Sequence, residues 1–105
     1  MEDFEKRILE EKFSDFLPSY MLNYDNHTNF SYASNCSNIT ELNMFCLNEN
    51  FNFLGIAKPP YNPYGKEFDF AVVFEDTSNN YEIIWHHCSR SWINQFRAEL
   101  SIESL

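Results

Sequence analysis

EFDFAVVFE (67–75), followed by DTSNN (76–80) and YEIIWHHC (81–88), carries the most regular pattern in the chain. Phe68, Phe70, Val72 and Phe74 alternate with Glu67, Asp69, Ala71, Val73 and Glu75, the period of two that a strand requires. The polar run then turns the chain, and YEIIWHHC returns as the partner strand, so a hairpin is expected. Pairing Phe74 with Tyr81 sets Val72 by Ile83, Phe70 by Trp85 and Phe68 by His87. That register gathers the aromatic rings on one face, whereas a slip of one residue would mix Phe with Glu. The opposite face would then carry Glu75, Val73 with Glu82, Ala71 with Ile84, and Asp69 with His86.

Outward from the hairpin, SRSWINQFRAELSIESL (89–105) has an apolar stripe of Trp92, Ile93, Phe96 and Leu100 at helical spacing, with Ser89 or Ser91 to cap its start. At the other end, residues 2–17 place Phe4, Ile8, Leu9, Phe13, Phe16 and Leu17 three or four apart, with charged residues between them, and Pro18 stops the helix. From Ser19 to Asn52 no period persists. A short helix around NITELNMFCLN, capped by Asn38 or Thr40, and a strand in NFNFLGIA are the elements expected within and after that stretch, with Phe51, Phe53 and Gly55 on one side of the strand and Leu54 and Ile56 on the other. KPPYNPYGK (58–66) reads as a connector, because each proline fixes its own backbone and restrains its predecessor. A PPxY ligand motif would need Tyr at position 62, where Asn stands. The fold expected is α+β: one domain over residues 1–105, a small and mainly antiparallel sheet built on the central hairpin and flanked by N-terminal and C-terminal helices.

Seven Lys and Arg against sixteen Asp and Glu give a net charge of -9, and no basic residue occurs between Lys12 and Lys58. Such a surface repels phosphate backbones, so direct nucleic-acid binding is not expected; long-range attraction of a basic partner is. Eleven Phe, six Tyr and two Trp supply a core. The charged start MEDFEKRILEEKF has no signal-peptide pattern, and no apolar run reaches the roughly 18 residues of a membrane span, so a cytoplasmic protein without membrane contact is expected. In that setting the sequons at Asn26, Asn29, Asn35 and Asn38 follow by chance from an Asn-, Ser- and Thr-rich segment, and Cys36, Cys46 and Cys88 are expected as free thiols.

His86, His87 and Cys88 invite a metal or nucleophile reading. Neighbours on a strand point to opposite faces, so the two histidines cannot readily grip one ion, and the remaining spacings match no zinc pattern. No cofactor is expected. Only Gly55 and Gly65 occur, which leaves no glycine-rich phosphate loop. A cysteine or metal-dependent hydrolase built on Cys88 and His86 remains one alternative, and a phage-type nucleic-acid-mimicking inhibitor of a host nuclease or CRISPR effector is another.

In size, charge, aromatic content and α+β pattern the whole chain resembles the immunity proteins that neutralise nuclease toxins of contact-dependent inhibition and related polymorphic-toxin systems. The resemblance implies a non-enzymatic binding protein that occupies the basic active-site cleft of a cognate toxin. The residues expected to meet such a partner are the acidic Glu67, Asp69, Glu75, Asp76 and Glu82, with Tyr61, Tyr64 and Trp85 as aromatic anchors.

Overall fold

The computed structural model describes residues 3–18, 22–29 and 35–105; the last two residues of the sequon at Asn29 and part of the Asn-rich stretch therefore lie outside the described residues. The elements are α1 (Asp3–Ser14), β1 (Phe16–Leu17), β2 (His27–Asn29), α2 (Ile39–Glu49), β3 (Phe51–Ala57), a 3-10 turn (Lys66–Phe68), β4 (Phe70–Asp76), β5 (Glu82–Cys88) and α3 (Arg90–Glu99). They form an α+β domain around a five-stranded sheet of order β1-β3-β4-β5-β2. The inner pairs are antiparallel and the two outer pairs parallel, so the sheet is mixed.

The hairpin forms, in a different register from the one the alternation suggests. Phe74 pairs with Ile84, Val72 with His86 and Phe70 with Cys88, while Val73 faces Trp85 and Ala71 faces His87. Two local features accompany this register. Residues 66–68 coil into the 3-10 turn, which removes Phe68 from the strand. The connection also runs on to Tyr81, with Asn80 and Tyr81 both left-handed at φ 54 and 57. The outcome is a size match, because Trp85 lands among Gly55, Ala57, Ala71 and Val73, the small residues that leave room for its ring. Both faces of β4 are covered, so Phe70 to Phe74 are all buried and the strict in-and-out alternation does not hold.

One face of the sheet carries all three helices. Leu9 and Phe13 of α1, Ile39 and Leu42 of α2, and Trp92, Ile93, Phe96 and Leu100 pack on Phe53, Ile56, Val72, Phe74 and Cys88. Phe13 stacks on Phe96 with centroids 5.4 Å apart. Helix α1 ends at Ser14, short of the expected Leu17, and Phe16 and Leu17 instead pair in parallel with Ile56 and Ala57. Arg97 explains how that end is held: its guanidinium donates to the carbonyls of Phe13 and Ser14, the last turn of α1, and through Nε to Glu103 O at 2.6 Å. A cation at carbonyls freed by the end of a helix is favourable by both hydrogen bonding and dipole.

Helix α2 is capped by Asn38, whose side chain accepts from Glu41 N at 2.9 Å, and it ends at left-handed Asn50. Its first N–H is met from a distance by Glu99 Oε1 of α3 at 3.0 Å. Ser89 caps α3 by accepting from Trp92 N at 3.1 Å. Between Phe53 and Gly55 strand β3 carries a bulge, so Ile56 joins Phe53 on the helix face and Leu54 packs on the other, against simple alternation. Gly55 is required there: its φ is +149, and a Cβ would stand 3.1 Å from Leu17 Cγ.

Candidate partner-binding surface

The residues expected to contact a partner fall at two ends of the sheet. β4 spans seven residues, roughly 20 Å at the usual strand rise. Glu67 and Asp69 precede it, and Glu75, Asp76 and Glu82 stand at its far end by the turn. A single acidic hairpin face does not exist, because Glu75 follows the parity of Val73 and Trp85 while Asp76 and Glu82 pair with each other on the opposite side.

The end near Glu67 and Asp69 is electrically mixed and internally bonded. Lys66 and Arg90 line the same opening as the two carboxylates, together with Ser89 and Ser91. Asp69 accepts from Asn62 Nδ2 at 2.8 Å. Beside it, on the helix-free face, Tyr24, His27, Tyr61, Tyr64 and His87 form an aromatic cluster. His87 Nδ1 lies 3.0 Å from Phe68 O, and since a carbonyl only accepts, Nδ1 carries the proton and Nε2 accepts from the Tyr24 hydroxyl. Tyr24 stacks on His27 at 4.4 Å, and the Tyr64 hydroxyl reaches His27 Nδ1 at 2.9 Å and His27 O at 3.1 Å. Burial lowers the His87 pKa against an opposing pull from the Phe68 carbonyl, and burial with the neighbouring tyrosines raises that of Tyr24 to about 12. Both groups are thus neutral at pH 7, an arrangement suited to fixing the segment 22–29 on the sheet.

The two histidines divide as strand geometry demands. His86 lies on the helix face beside Phe74 and Phe51, and burial lowers its pKa to about 4. His87 therefore pairs with Ala71 and neighbours the tyrosines; neither histidine keeps the cross-strand pairing the first register implied, although His87 still reaches the Phe68 carbonyl. Cys88 shares the helix face with His86, is 1% exposed, and burial pushes its thiol up. Cys46 is raised to about 12, and Cys36 is raised as well. All three are free thiols. A thiol needs the opposite shift to act as a nucleophile. Among the described residues no group of three or more His, Cys, Asp or Glu could hold a metal ion, and no helix is long and apolar enough to cross a membrane.

Trp85 is fully buried, with its Nε1 donating to Asn23 O at 2.9 Å, so it anchors the interior and not a partner. Tyr64 is half-buried and engaged, while Tyr61 is exposed.

The turn end is different in kind. No Lys or Arg occurs between Lys66 and Arg90, and Glu75 on one face and the Asp76–Glu82 pair on the other share this end of the hairpin. The acidic end of α2 joins them: Thr77 N and Oγ1 donate to Asn50 O at 3.0 and 2.7 Å, which brings Glu49 and the negative pole of that helix to the turn. Tyr81 projects from the same turn, 64% exposed. Neither Tyr81 nor Glu49 stood out in the sequence. The cue for Tyr81 was its place beside SNN, where a left-handed turn turns a strand-like residue outward. Comparison with protein-family models, curated proteins and solved structures returns no match, so the chemistry of this surface is read from its own geometry.

Proposed function

We propose that this protein is a non-enzymatic binding protein that captures a basic partner on the turn end of its sheet, in the manner of an immunity protein that masks the cleft of a nuclease toxin. The observation that carries the reading is the coincidence of four carboxylates, a helix C-terminus and an exposed Tyr81, drawn from two stretches of chain, 13–57 and 67–89, that contain no Lys or Arg. Carboxylates steer the encounter over long range, and a tyrosine on a short, hydrogen-bonded turn supplies the desolvated anchor that sustains the complex. The raised thiols and the buried His86, whose lowered pKa makes it a weak base, weigh against the hydrolase alternative, since no thiolate is prepared at neutral pH.

The test is capture by tagged protein from its native host, with mass spectrometry of what stays bound at low salt and leaves at high salt. A stoichiometric basic toxin or nuclease domain is expected, and the triple variant Glu75→Lys, Asp76→Lys, Glu82→Lys should associate at least about tenfold more slowly and with a flatter salt dependence. Unchanged association kinetics in that variant would sink the assignment of this surface. A host defence complex in place of a toxin would favour the nucleic-acid-mimic version of the same binding chemistry.

A further inference from the structure

The side of β3 away from β4 is covered over only part of its length. β1 pairs with Ile56 and Ala57 and no further, so among the described residues no strand lies along the edge from Phe51 to Leu54. A groove of about 380 Å³ occupies that place between α1, α2 and β3, lined by the apolar Ile8, Leu9 and Leu47 and by the polar Glu5, Asn43 and Asn52. Its upper end is closed where Leu17 and the Lys12 carbonyl approach Gly55. Lys12 donates through Nζ to Phe53 O at 2.7 Å, the ammonium standing in for the strand that is not there. Lysines are the usual guard of an open strand edge, but this one covers a single carbonyl on a flexible stem and its removal exposes an intact acceptor.

The rim is apolar. Phe4, Met44 and Leu47 are the exposed non-tyrosine large hydrophobics among the described residues, at 72, 52 and 71%. Phe4 stands one turn from Ile8, and Met44 one turn from Leu47, on the two helices that wall the groove. An open strand edge at the floor of an apolar channel has the form that receives an extended peptide, whose backbone pairs with the strand while alternate side chains enter the channel. Its entrance is at Phe51, which pairs with Asp76 and stands two residues after Glu49, so a basic residue flanking the peptide would meet the acidic turn end. A second copy of this chain fits less well, because two surfaces of net charge -9 repel.

We infer that the α1/α2 groove takes an extended, apolar segment of a partner protein, flanked by a basic residue, as an added strand on the free edge of β3. The inference relies on the proposed function only for the sign of that flanking charge.

Selection from a displayed random heptapeptide library against the full chain tests it. The expected binders alternate apolar residues, carry Lys or Arg at one end, and shift the backbone amide resonances of residues 51–54 of the protein. Leu47→Glu, at an exposed rim position that folding does not require, should weaken them at least about tenfold, as should N-methylation of the peptide's alternate amides. Lys12→Met should tighten them, by freeing the Phe53 carbonyl. Binders that ignore Leu47→Glu but are lost in the Glu75, Asp76, Glu82 to Lys variant would overturn the groove while leaving the acidic surface standing. Selection with no enrichment over Leu47→Glu would overturn it too, as would self-association of the unliganded chain that Leu47→Glu abolishes.

Discussion

His86 and His87 are adjacent in sequence and inhabit opposite worlds. His86 sits on the helix-covered face beside Phe51 and Phe74, next to the part of the core where shape and apolar area do the stabilising. His87 sits on the helix-free face, where loops in place of helices supply the cover and where tyrosines, histidines and backbone carbonyls satisfy one another. The same sheet is thus sealed by apolar packing on one side and by a hydrogen-bonded aromatic mosaic on the other. A layer of irregular chain can close a sheet face, but it needs polar fastenings to do so, because its backbone groups have no ladder of their own.

Four substitutions probe that contrast. Trp85→Ala removes a large buried ring on which Tyr24 of the loop layer rests, together with its bond to Asn23 O, and should cost about 3–5 kcal/mol in denaturant unfolding. Hydrogen exchange should show residues 22–29 released first; uniform loosening of both faces would blur the division drawn here. The next largest effect is in acid. Above the unfolded-state pKa near 6.5, His86 is neutral in both states; below it the unfolded chain takes a proton that the native site refuses until about pH 4. Stability should therefore fall between those values by up to about 3 kcal/mol, with His87 adding in the same direction, and His86→Phe should flatten most of the slope. Equal slopes in the two proteins would mean that His86 is less enclosed than the helix layer implies.

Tyr24→Phe leaves His87 Nε2 without its donor and should cost about 1–2 kcal/mol by the same unfolding assay, with the effect confined to the loop-covered face. Smallest is Glu82→Lys, which converts the like-charged pair with Asp76 into an attractive one and should raise stability by roughly 0.3 kcal/mol, less at high salt. A change that exceeds Tyr24→Phe would place the turn among the tight parts of the molecule.

Much of the fold was legible because its signals are local. The stripe Trp92, Ile93, Phe96, Leu100 with Ser89 ahead of it, and Asn38 ahead of Ile39, each carry their own period and cap. The hairpin was legible as an element and not in register, since register there is decided by where Trp85 finds small residues on β3 and β4, a fact about three strands at once. For the same reason the mixed edges escaped notice: Phe16 and Leu17 continue a helical spacing in sequence and become a strand only because β3 offers Ile56 and Ala57. The acidic residues of the candidate surface could be named one by one. Their division between two ends of β4, and the addition of Glu49 and Tyr81 at the turn, depend on that register and on Thr77 reaching Asn50.

The strand order has one more consequence, for the time at which the protein comes into being. β1 and β2 leave the ribosome before the other strands, yet each pairs with a strand made later: Phe16 with Ile56, His27 with Trp85. The earliest third of the chain thus has no sheet to join until the meander of β3, β4 and β5 exists, and Arg97, which fastens the end of α1, is synthesised later still. Assembly should run inside-out against the direction of synthesis, with the nascent N-terminal segment waiting for its docking sites, a topology whose distant pairings slow folding and lengthen exposure of apolar chain.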